Sequence, residues 1–463
     1  FKQKTAYEIM PSLVGSEMCI RDRVYEWASP TAAEKSPIDK AYLDYLYKWY
    51  LWCWAFRALS RDIPCICIPD DHDVYQGNLW GAGGRKTDKI ERGGYTMPAE
   101  FVNMAQRTQT SHLPDPYDPT PVEQGITVYY TAMNYGRISF AILEDRKFKS
   151  GCEGLVPKTT SGRTDHIVNP NFDPRTADVP DAKLLGDRQL KFLSEWAAEW
   201  RKTDMKVVLS QTIFANVATH HGPKQKYLIA DYDSNGWPQT GRNKALKELR
   251  RAFAFHICGD QHLASIVHHG IDNWDDAIWS FCVPSIANAY LRSWRPAKPP
   301  ANYRPDMPSY LGQFKDGFGN YITVWAVANP GKPTGRRPAA LHDRMPGYGI
   351  VKLNKKDRTI TMECWPRYAD PTNPEDKQYP GWPKTIRQTD NYGRKALAYL
   401  PTIRVNGLTN PVLQIIDEQN GEIIYTLRIK GTSFRPEVFK DTTYTIKIGQ
   451  QDAGNIITLK GIQ

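Results

Sequence analysis

Two short runs in this chain hold residue types that could bind a cation and move a proton. In residues 65–84, CICIPDDHDVYQGNLWGAGG, an apolar β-branched stretch (Ile63, Ile66, Ile68) ends at Pro69 and delivers Asp70, Asp71, His72 and Asp73 in succession. Three carboxylates around one imidazole repel one another unless a cation binds among them or water solvates the turn. Residues 253–263, FAFHICGDQHL, repeat the pattern: an apolar run, Gly259, then Asp260 and His262. Residues two apart on an extended segment point the same way, so Asp260 and His262 are expected to reach one ion or two adjacent ions. Gly259 lets the backbone turn where a Cβ would obstruct it. One such cluster is an ordinary surface turn; two of the same chemistry in one chain argue for a metal centre.

Strand ends are where an open α/β sheet presents ligands, because side chains there converge on a crevice. Apolar runs predict strands over 63–69, 137–143, 205–209, 253–258, 277–283, 321–327, 349–353 and 359–365. Helical spacing covers 38–59, 187–202 and 242–252; in the second, Leu190, Leu193, Trp196 and Ala197 fall on one face. Long irregular stretches, 112–121, 154–180, 293–308 and 329–346, are rich in Pro, Gly and aromatics. Loops of this length are commonly functional, so they are read as walls of a substrate cleft, with plain surface insertions as the alternative. Beyond Gln388 the pattern becomes period-two alternation with Asn-Gly turns at Asn406 and Asn420, which predicts a small all-β sandwich over 395–463. The Pro-rich segment 371–394 is read as a linker. The β unit is either a carbohydrate- or cell-surface-binding module or a cap on the preceding domain.

The DDHD run at 70–73, the GDQH run at 259–262 and LEDRKFK at 143–149 resemble the alkaline phosphatase D (PhoD-like) branch of the calcineurin-like metallophosphatases. LLGDRQLKFLSEWAAEW and KVVLSQTIFAN resemble the helix and strand that follow in that family, and the likeness runs from about residue 64 to about residue 367. The resemblance implies an α/β fold, a metallophosphatase-type two-sheet β-sandwich flanked by helices, with ions bound by loops at strand ends. It implies that Asp71, Asp260 and His262 ligate metal and that His72 contacts the phosphate and assists the leaving group. Two ions would clamp phosphoryl oxygens and activate a water, while an imidazole suits proton donation near neutrality. Relatives use mixed iron and calcium; the residues themselves leave Ca, Fe, Mn, Mg and Zn open.

Departures from the family matter. Asp73 stands where relatives have Glu, and Glu144 where they have Asp. An early Asp-containing strand and a Gly-Asp strand should precede Asp71, and neither is found. The run PSLVGSEMCIRDR, residues 11–23, resembles a translated sequencing adapter. Residues 1–23 are therefore read as non-native, and the remainder, 24–370, as a PhoD-like domain from a truncated gene that lacks its first metal motifs. Asp70 and His220 are weaker ligand candidates; His220 and His221 either ligate metal or sit in a polar loop. Asn78 is a weak candidate for phosphate contact. His268 and His269 are read as solvent-facing.

Composition suits a large globular protein: 463 residues, 41% hydrophobic and 24% charged, enough for a substantial core. No apolar span reaches the roughly 18–20 residues of a membrane helix. The net charge of +10 is scattered, with no basic block or nucleic-acid motif, and supports an anionic substrate only in a general way. The eight cysteines show no zinc spacing, and Cys65, Cys67, Cys258 and Cys282 read as packing residues. The expected activity is metal-dependent hydrolysis of a phosphomonoester or phosphodiester. The rivals are a non-catalytic binding protein of the same fold, and a surface- or glycan-binding protein acting through its C-terminal sandwich. A periplasmic or extracellular location follows from the resemblance alone.

Overall fold

The computed structural model describes residues 33–158, 162–287, 290–331, 335 and 339–463. The segment 1–23, expected to be foreign, lies outside them.

Eight strands build the main sheet: β1 (Thr131–Tyr135), β2 (Ile138–Ile142), β3 (Met205–Thr212), β4 (Phe255–Gly259), β5 (Ser265–His269), β6 (Trp279–Cys282), β7 (Gly312–Lys315) and β8 (Tyr321–Val327). Their spatial order is β1-β2-β3-β4-β6-β5-β8-β7. The centre, β2-β3-β4-β6, is parallel and both flanks are antiparallel. A parallel centre needs crossovers, and the helices α3 (Gly186–Ala198) and α4 (Gln239–Arg251) supply them. Both faces of the central strands are covered, so their sequences are continuously apolar rather than alternating. Val207 and Leu209 of β3 face one core, and Val208 faces the other with Phe192, Leu193, Trp196, Leu246 and Leu249 of the two helices.

The second sheet lies on the first face. Its strands β9 (Gly347–Asn354), β10 (Thr359–Pro366) and β11 (Lys384–Arg387) are antiparallel. Val351, Ile360, Met362, Cys364 and Ile386 join Ile266, Phe281 and Val324 in one core, which makes the expected two-sheet sandwich. Gly349 is required there, since a Cβ would stand 2.7 Å from the Phe281 ring.

The segment 371–394, expected as a linker, carries β11, and its Tyr379 and Trp382 are buried in the same core. Its prolines suggested an extended spacer, but its aromatic surface is driven out of water. Residues 63–69, expected as a strand, form no ladder with any described strand, and a strand is defined by its partner. They run extended instead, with Pro69 O accepting from Gln211 Nε2 at 2.9 Å. Strands β1, β5 and β7 and the helix α2 (Ala99–Thr110) fall where no element was predicted. His268 and His269, expected in solvent, are buried on β5; His268 stacks on Trp279 at 4.5 Å between ring centres.

The N-terminal helix α1 (Ile38–Ala55) packs through Ala41, Tyr45 and Trp52 and leaves Leu43, Tyr50 and Trp54 exposed. No described helix is long and apolar enough to cross a membrane.

The C-terminal unit is all β. Its sheet has the order β13 (Ile423–Arg428), β12 (Val412–Asp417), β14 (Tyr444–Gln450), β15 (Asn455–Ile462), with two short ladders beside it. Asn420–Gly421 lies in the β12–β13 connection, with Gly421 at φ +72° as the Asn-Gly signal requires. Arg428 ties this unit to the end of α3. It donates to Thr203 O, to Trp200 O at 2.7 Å, to Asn410 O at 3.0 Å and to Gln450 Oε1 at 2.8 Å.

Two stability predictions follow from this packing. Arg428→Ala strands buried carbonyls and is expected to cost about 2–4 kcal/mol; an unchanged urea midpoint would contradict that. His256 on β4 is fully buried between Ser210 and Ser280, and burial pushes it down to about 3. In the unfolded chain it protonates near pH 6.5, so the unfolded state binds the extra proton first. Stability is expected to fall as pH drops from about 6.5 toward 3, and less steeply in His256→Gln. Parallel slopes for the two proteins would exclude His256 as the cause.

Candidate functional site

The acidic turn after residue 69 is held by its own carboxylates. Asp71 Oδ1 accepts the His72 amide at 2.9 Å, and Asp73 Oδ2 accepts the Asp70 amide at 2.9 Å. Asp73 Oδ1 accepts from Gln109 Nε2 of α2 at 2.8 Å. Asp71 and Asp73 are both fully buried, and they set the short turn His72–Val74 that carries His72.

Arg146, the fourth residue of the LEDRKFK segment that follows β2, is the hub. Its guanidinium is 1% exposed and meets three carboxylates: Asp70 at 3.0 Å, Asp233 at 2.7 Å and Asp260 at 2.7 Å. Its Nη1 also lies 3.2 Å from Asp233 O. The Coulomb field of Asp233, Asp260, Asp70 and Asp71 overcomes desolvation and holds Arg146 well above the usual arginine range. Asp145 beside it accepts the amides of Gln211 and Thr212 at 3.0 Å each, and burial raises its carboxyl above the ordinary value. Lys149 donates to Asp233 O and Ser234 O at 2.8 Å; burial first, and then Arg146, lower it to about 7.

At the other strand end, β4 stops at Gly259 and the backbone turns sharply. Asp260 and His262 both have positive φ, +65° and +53°. The expected extended Asp-x-His is therefore a turn, and its two side chains take different directions. Asp260 goes to Arg146, while His262 lines a cavity, with Nδ1 2.7 Å from Tyr290 O.

That cavity, of about 280 Å³, is lined by four histidines, His72, His166, His221 and His262, by Arg163 and Arg292, and by Asn78. Asn78 donates to Asp165 Oδ2 at 2.9 Å, and Arg163 grips the same carboxylate at 2.7 and 3.0 Å. Arg292, at 6% exposure, lies 3.7 Å from Asp233, and its Nε and Nη1 make no hydrogen bond to a described residue. Of the HH pair, His221 faces the cavity. His220 does not line it; it contacts Thr219 Oγ1 at 3.0 Å and the Tyr227 ring.

At the cavity wall, donor atoms of His166, His221 and Asp231 lie within 4.8 Å of one another. Burial pushes His166 down to about 4, with Arg163 and Arg292 adding to it, and holds His221 well below the usual histidine range. Both imidazoles are thus neutral. Burial, then Asp165 and Asp233, raise Asp231 to about 7.

The Arg146 guanidinium thus engages Asp70 and Asp260 together. Arg146, Arg163, His166, Asp231, Asp233 and Arg292 were not singled out from the sequence. Only Arg146 lay in a recognised motif; the others are scattered over loops and two-residue strands without local spacing.

A search of curated proteins finds no match. A solved structure of PhoD is similar over 84% of this chain, at 16% identity and a TM-score of 0.48; the chain spans 64% of that protein's length. Residues 25–312 match the family described as PhoD-like phosphatase. With more than half its length inside that match, the chain belongs to the PhoD-like phosphatase family.

Proposed function

We propose that this chain hydrolyses phosphoesters, seating the phosphoryl group against Arg292 and Arg163 and protonating the leaving oxygen from His72. The observation that carries the reading is Arg292: a buried guanidinium with two nitrogens, Nε and Nη1, uncommitted among the described residues, facing a cavity. Leaving such donors unpaired is costly, and a planar guanidinium matches phosphoryl oxygens in charge and fork geometry. Arg163 brings a second positive charge to the same wall.

The chemistry assigned to the chain's own residues is modest. Water attacks phosphorus in line, the bond to the leaving oxygen breaks, and His72 supplies that oxygen's proton; the water's own proton passes to the product phosphate, and His72 regains one from solvent. The Asp71 cap orients His72 by fixing its amide. His262 stands across the cavity, held through Nδ1, and contributes a further polar contact. Asn78 acts as a positioning residue, since it fixes Asp165 and Asp165 fixes Arg163.

Metal dependence is retained, carried by the histidine–aspartate group at the cavity wall. A location outside the cytoplasm belongs to the same proposal and rests on the family. The choice between monoester and diester is open to the assay.

In purified protein, His72→Ala is expected to lower kcat toward p-nitrophenyl phosphate and bis(p-nitrophenyl) phosphate by about 10²–10⁴-fold. Arg292→Ala should raise KM by about 10–100-fold, the worth of charge-assisted hydrogen bonds. Wild-type turnover and KM in both variants would remove the assignment.

A further inference from the structure

We infer that His166, His221 and Asp231 bind one divalent transition-metal ion, Zn²⁺ foremost, beside the phosphate seat; its part in hydrolysis rests on the reading above. Two imidazoles and a carboxylate are a borderline-soft donor set that suits Zn²⁺, Fe²⁺ or Mn²⁺ better than Ca²⁺. Three protein ligands also leave a coordination position open, as a site that acts on a substrate requires.

Tertiary structure builds the group from three distant segments. His166 and Asp231 are register partners in a two-residue antiparallel ladder, so their side chains stand on the same face. His221 is the register partner of Arg292 in a second short ladder, which sets the imidazole and the phosphate-seat guanidinium side by side. The His166 and His221 rings are 5.2 Å apart.

The carboxylate is already oriented. Asp231 Oδ1 accepts the Asp233 amide at 2.9 Å, leaving Oδ2 3.6 Å from His221 Nδ1. That distance is too long for a hydrogen bond. Ligand atoms about 2.0–2.1 Å from a tetrahedral ion lie about 3.4 Å from one another, so this pair is close to ligating separation.

The independent sign of a ligand is His221 itself. It is 4% exposed, its only hydrogen-bonding influence from a described residue is the Ala218 backbone, and neither ring nitrogen makes a bond of good geometry. A buried imidazole so poorly satisfied is rare in folded proteins, because each unmet polar atom costs desolvation. An ion satisfies one nitrogen and Asp231 together.

The test uses the full chain, free of any affinity tag and stripped of metal. It is titrated with Zn²⁺ against a chromophoric chelator, and with Co²⁺ while visible absorption is followed. One equivalent of Zn²⁺ and a four-coordinate Co²⁺ spectrum are expected. His166→Ala and Asp231→Asn should each weaken binding by at least about tenfold, since even outer-shell changes cost 10–100-fold. His220→Ala should bind as wild type. Asp231→Asn keeps the side chain's size, so loss of binding with an intact circular-dichroism spectrum reports the ligand and not the fold. No Zn²⁺ bound by the wild-type chain, or undiminished binding in both variants, would overturn the site. Phosphoesterase activity is assayed on the same samples. A chain that binds Zn²⁺ at these residues and cleaves no phosphoester supports the site and defeats the hydrolase reading instead.

Discussion

A buried guanidinium organises this molecule's strand-end crevice. Arg146 draws together Asp70 from the first turn, Asp233 from the loop after Asp231, and Asp260 from the turn after β4. Burying one ion costs several kcal/mol, and burying three carboxylates without a partner would cost far more. Each charge is tolerated only because the others are present, so three segments remote in sequence must meet at one point. The turn geometry depends on that meeting. Positive φ at Asp260 and His262 is a strained choice for such residues and is held by what surrounds it.

This constraint divides the site into two layers. Inside, one guanidinium is shared among three carboxylates with little exposure to water. Outside lies a cavity of imidazoles and arginines whose polar groups are less committed, and there an anion finds donors already in place. The net charge of +10 has little to do with it, because the charges that matter are the two arginines aimed at the cavity. Their positions come from Asp165 and Asp233, so the inner acidic groups orient the outer basic ones.

The sandwich beneath supplies rigidity. Helices cover one face of the main sheet and the second sheet covers the other, so central strands have nowhere to shift. The stretch 154–180, an open question between cleft wall and surface insertion, brings Arg163 and His166 to the cavity and is pinned by the His166–Asp231 ladder. Within it, Asp165 is held from two sides, by Asn78 and by Arg163.

Local pattern was enough to read most of the main sheet and all three predicted helices, because apolar periodicity is a property of neighbouring residues. It also exposed the DDHD and GDQH turns and placed His72 and His262 near a common crevice. It failed where structure depends on a distant partner. Residues 63–69 have strand composition but no described strand to pair with, and 371–394 have linker composition but aromatic residues that a distant core accepts. The site shows the same division. Residue types and their order along the chain determined that carboxylates and histidines end the strands. Only the tertiary structure decided that Arg146 stands between Asp70 and Asp260, and that His221, not His220, faces the cavity. Charge pairing and ladder register act between segments tens of residues apart, and no local spacing records them.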